Sequence, residues 1–135
     1  MTRVTEIPPE LERFIALFDA GRHWDSHEAL EAPWRAHRSP FYQALIIIAS
    51  AYVHLERRNP RGVKAQMEKA LRYLSPYPEA YLGFDVGELV RRAEEARRVA
   101  GAAEEEWQVA VPVAPLPFDA ARIRGDEPEL QPYQR

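Results

Sequence analysis

The chain has 135 residues, 46% of them hydrophobic and 29% charged, with a formal net charge of -3 and no cysteine. That length suits one domain with a real core rather than two. The charge gives no general attraction to nucleic acid or anionic membranes, and the lack of cysteine excludes disulfides, thiol chemistry and Cys-ligated metal. The first residues, MTRVTEIPPELERF, hold no apolar signal-peptide core, and the longest apolar run, 44–49, is far too short to span a membrane. A cytoplasmic protein with no membrane partner is expected.

Pro8 and Pro9 suit a helix start, and Leu11, Phe14, Ile15, Leu17 and Phe18 recur at helical spacing, so the first helix is expected over 9–20, with Gly21 as its stop. A second helix is expected over 23–36. Asp25 and Glu28 have the spacing of a capping box, and Pro33 predicts a kink or a tight break. Ser39-Pro40 is a helix-start signal for a third helix over 40–58, apolar nearly all round and therefore central. Its exceptions, Gln43, Ser50 and His54, form one sparse polar stripe with Ile47. Asn59-Pro60 starts a fourth helix over 61–74, and the very short link predicts an antiparallel hairpin. Asp85 caps a fifth over 86–100, with Gly101 as its stop. The fold expected is all-α: a compact bundle of about five helices built from antiparallel hairpins, spanning 1–101. From 102 to 135 five prolines and few helix signals predict an extended or partly disordered tail, with 109–113 as a candidate edge strand. Trp107 and Phe118 in that tail imply docking, on the bundle or on a second copy of the chain.

The chemistry concentrates in His27-Glu28-x-x-Glu31-x-x-Trp34. At 3.6 residues per turn His27, Leu30, Glu31 and Trp34 share one stripe, with Trp24 a turn earlier. A His and a Glu on an inward face predict a buried polar pocket between helices two and three, because an unpaired buried charge is costly. His54 can join them if those helices pack side by side. His27, Glu31 and His54 would then suit one divalent metal ion such as zinc, iron or manganese. Glu28 or Asp25 would be a further ligand or support, and Trp34 and Gln43 would line the pocket. Gln43 and His54 are eleven residues apart, roughly 16 Å along a helix, so they cannot share one ion. The metalloprotease pattern H-E-x-x-H is not met, because Glu31 stands where its second His belongs. The paired Glu-x-x-His of di-iron bundles is not met either, because Ala51 precedes His54 by three.

Two other readings stay open. In an acid–base or small-ligand site, Glu31 would orient His27, and His27 or His54 would act as general base. Alternatively, the three residues form a structural hydrogen-bond network in a non-enzymatic interaction module. Ser50 lies one turn from His54, but a mid-helix serine usually bonds its own backbone. No phosphate-binding glycine loop is present. The basic clusters at Arg57, Arg58, Arg61 and Lys64 and at Arg91, Arg92, Arg97 and Arg98 alternate with glutamates, so they read as solvated helix faces. The hairpins resemble tetratricopeptide repeats, with no second copy at a fixed period.

FDAGRHWDSHEALEAPWR, FYQALIIIASAYVHLERRNPRGVKAQMEKALRYL and PEAYLGFDVGEL together resemble the bacterial and archaeal domain-of-unknown-function family 309, over about 14–97. The resemblance rests on Ala20-Gly21, the His27 to Trp34 motif, Gln43, His54, Asn59-Pro60-Arg61-Gly62 and Leu82-Gly83-x-Asp85. It implies a small all-helical domain and supplies no substrate.

Overall fold

Every helix but the second begins where the chain supplies a proline or an acceptor side chain. In the computed structural model, which describes residues 7–130, α1 runs Pro9–Asp19 with Leu11, Phe14 and Phe18 buried. α2 runs His23–His37 and stays helical through Pro33, with no break. The capping box does not form. Asp25 lies inside the helix and pairs with Arg22 at 2.7 Å, and Arg38 closes the helix in the left-handed region at φ 59°. α3, Pro40–Glu56, is capped by Ser39, whose hydroxyl accepts from Tyr42 N. Eleven of its residues are buried, so it is the central helix. α4, Pro60–Leu74, and α5, Val86–Ala102, are capped by the side chains of Asn59 and Asp85.

The helices pack in chain order, α1 on α2, α2 on α3, α3 on α4 and α4 on α5. Links of two or three residues make neighbours from α1 to α4 run in opposite directions. The all-α expectation therefore holds. Beside the helices lies one small antiparallel ladder, β1 (Ala80–Tyr81) and β2 (Phe84–Asp85), which sequence periodicity did not signal. Its turn, Leu82 at φ 51° and Gly83 at φ 84°, has two left-handed residues, the geometry that a two-residue hairpin requires. Among the described residues no helix is long and apolar enough to cross a membrane.

Residues 103–130 lie against this bundle as an irregular belt with short 3₁₀ turns. The first of these turns, Trp107–Ala110, takes up the first two residues of the stretch expected as an edge strand. Val111, Leu116 and Ile123 are buried, and Trp107 and Phe118 pack on the core. The belt is tied to several elements. Tyr52 Oη donates to the Pro112 carbonyl, Arg92 to the Pro115 carbonyl, and Leu116 N to Asp19 Oδ1. Asp85 N and the Gly83 carbonyl exchange bonds with Pro117 O and Asp119 N, both at 2.8 Å. The tail therefore docks on its own bundle.

Candidate functional site

A cleft of about 180 Å³ opens with α3 as its floor and with α2 and α4 contributing its walls. α3 supplies Gln43, Ile46, Ile47 and Ser50. α2 supplies His27, Glu31 and Trp34, and α4 supplies Gln66 and Lys69. The polar stripe read on the third helix is the reason. Gln43, Ile47 and Ser50 follow each other at spacings of four and three, so they face one way along the floor.

On the α2 wall, one coordinating-type atom from each of His27, Glu28 and Glu31 lies within 4.8 Å of the other two. His27 and Glu31 are one turn apart. Glu28 reaches back alongside, its Oε2 3.8 Å from His27 Nδ1. The His27 ring is stacked on Trp24, centroids 5.0 Å apart and planes 8° from parallel, which fixes its plane. Its Nδ1 is shielded from solvent and has no hydrogen-bond partner. Glu31 has a single loose ion pair, 3.5 Å to the largely exposed Arg35. Such an exposed pair adds little and yields easily to a ligand.

His27, Glu31, Trp34 and Gln43 thus meet in one cleft, and Glu28 joins His27 and Glu31. His54 does not. Its Nδ1 lies 3.1 Å from Asn59 Nδ2, and the Asn59 Oδ1 is already accepting from Gly62 N. With Oδ1 occupied, the amide nitrogen is the donor and His54 Nδ1 the acceptor. The ring sits over Gly62, where an added Cβ would stand 2.4 Å from His54 Cγ. Among the described residues His54 is not grouped with His27 and Glu31, and no hydrogen-bond network links the three. Ser50 does not bond its own backbone. Its Oγ accepts from Gln66 Nε2 at 3.2 Å, across the α3–α4 interface.

Gln66 and Lys69 were absent from the sequence-derived site. The signal was present: they flank the apolar face of α4 at i and i+3, opposite the α3 stripe, and the short α3–α4 link made that packing predictable. The basic clusters are partly self-neutralised. Lys64 pairs with Glu68, Arg91 and Arg92 with Glu88, and Arg98 with Glu95.

Fold and site define a small helical protein with a polar, solvent-open cleft and an imidazole–carboxylate cluster on its wall. Residues 11–65 match the model of the family described as Domain of unknown function (DUF309). That stretch covers α1 to α3 and the first turns of α4, and is shorter than the 14–97 over which the motifs resemble the family. No curated protein and no solved structure matches the chain.

Proposed function

We propose that this protein binds a divalent cation through His27, Glu28 and Glu31, at the wall of the cleft. The convergence of one imidazole and two carboxylates within 4.8 Å carries the reading. Ligands on such a cation sit at about 2.1 Å, which places neighbouring donors about 3–3.5 Å apart. Side-chain rotations of about an ångström close the cluster to that size. Among the described residues no hydrogen bond engages either ring nitrogen of His27, so an imidazole lone pair is available to an ion. A nitrogen–carboxylate set suits zinc, iron or manganese over calcium. Three protein ligands leave at least one coordination position open, the arrangement of sites that bind or activate a further molecule rather than of closed structural sites. Both glutamates must be ionised and the imidazole neutral, so affinity falls on acidification.

Calorimetric titration of metal-free protein with Zn²⁺ and Mn²⁺ tests this. One ion per chain is expected, with affinity reduced by at least about tenfold in His27→Ala and in Glu31→Gln and unchanged in His54→Ala. Undiminished binding by folded His27→Ala, or loss of binding in folded His54→Ala, would overturn the assignment.

A further inference from the structure

The cleft carries donor groups besides those of the cation cluster. Lys69 forms no ion pair among the described residues, although it lines the cleft. Gln43 lines the cleft with its Oε1 shielded, and among the described residues no hydrogen bond engages its amide, so its NH₂ is available to a ligand. Ser50 Oγ accepts from Gln66 and donates to no partner among the described residues, which leaves its O–H for a ligand. An ammonium, an amide NH₂ and a hydroxyl hydrogen around one cleft are complementary to an oxyanion. Trp34, Ile46 and Ile47 line the same space and suit a short hydrocarbon stem. At roughly 30 Å³ per water, 180 Å³ holds about six waters, the bulk of a short hydroxy acid or a glycerol phosphate.

We infer that the cleft binds a small oxyanion, a carboxylate or phosphate monoester, with its charged end on Lys69, Gln43 and Ser50. This rests on the proposed cation site for the other end of the ligand, where an oxygen fills the open coordination position. The two ligands are coupled. Without a cation, Glu31 repels an anion entering the cleft. With one, that charge is neutralised, so each ligand raises the affinity for the other by the same factor.

The test is calorimetry with malate and with glycerol 3-phosphate as probes, against metal-free and Mn²⁺-loaded protein and against Lys69→Ala, an exposed position whose loss leaves the fold intact. At least one probe is expected to bind loaded protein, about tenfold more weakly when Lys69 is removed and more weakly without metal. Malate alone binding marks a carboxylate site, and glycerol 3-phosphate alone a phosphate site. Binding of neither probe at millimolar concentration, or binding indifferent to Lys69→Ala, overturns the inference. If Mn²⁺ binds and neither probe does, the cation site stands and the oxyanion site falls. If Mn²⁺ fails and a probe still binds through Lys69, the cation reading alone falls.

Discussion

Glu127 is a carboxylate at 1% exposure in the middle of an irregular belt, and its replacement by glutamine should cost this fold about 3 kcal/mol. Its two oxygens accept three backbone N–H groups. Oε2 takes Leu82 N at 2.9 Å, Oε1 takes Gly125 N at 3.0 Å, and Arg124 N lies 3.2 Å and 3.3 Å from the two. A glutamine keeps only one oxygen. If that oxygen stays with Arg124 and Gly125, the new NH₂ confronts the N–H of Leu82, which is fully buried. The change loses one charge-assisted bond, worth about 1.5–3 kcal/mol, and weakens the other two from charged to neutral partners. An unsatisfied buried donor adds about 1–3 kcal/mol, so 3 kcal/mol is a conservative sum of non-additive parts. For a domain of this size that is about 10 °C in Tm. Urea unfolding followed by tryptophan fluorescence measures it, since Trp107 lies in the belt and packs on the core. The expected result is a lower midpoint with an unchanged slope. A loss below about 1 kcal/mol would refute the reasoning, because it would mean that the three N–H groups are as well served by water.

Two further perturbations follow from the same kind of accounting. Gly62→Ala drives a methyl to 2.4 Å from the His54 ring and should cost about 1–3 kcal/mol, recovered in part by adding His54→Ala; equal losses with and without His54 would show that the ring is not the obstacle. Burial raises the Tyr52 hydroxyl above its ordinary range against the opposing charge of Arg92, and burial, the bond to Glu129 and its charge raise Tyr81 far above it. The neutral phenols are therefore favoured in the folded state, and the stability they contribute is complete below about pH 10 and is lost as the pH rises above it. Both hydroxyls hold the belt, on Pro112 O and Glu129 Oε1, so denaturation midpoints should be flat to about pH 9.5 and fall beyond; a Tyr81→Phe variant with the same alkaline slope would contradict this.

The helices were legible because their start signals are local. Ser39-Pro40, Asn59-Pro60 and Asp85 each cap the helix that the pattern places after them, and all three caps form. The hairpin and the belt were not legible, because their stability is non-local. Gly83 is the hinge of both: its φ is positive, and a Cβ there would stand 2.6 Å from Phe118, thirty-five positions along the chain. No window of sequence announces that contact. Glu127 and Glu129, among the most buried polar residues of the fold, sit in a stretch whose composition reads as solvated. Glu127 also takes the nearby Arg124 and Gly125 N–H groups, but the partners that tie both residues to the bundle, the N–H of Leu82 and the hydroxyls of Ser39 and Tyr81, are remote in sequence.

The polar line of α3 shows how far periodicity reaches. Gln43, Ser50 and His54 fall on one face of one helix, and a sequence argument treats them alike. The structure separates them by height. At Gln43 and Ser50, α2 and α4 leave a gap, so these side chains meet solvent and the cleft. At His54, roughly 16 Å from Gln43 and about 6 Å beyond Ser50, the chain is about to turn into α4, and Asn59 and Gly62 close over the ring. One residue without a side chain, Gly62, thus decides that His54 seats a turn while His27, on the neighbouring helix, keeps a free nitrogen. The same division explains why the metal-type cluster takes Glu28 in place of His54: Glu28 needs no second helix to reach His27, only the next residue of its own.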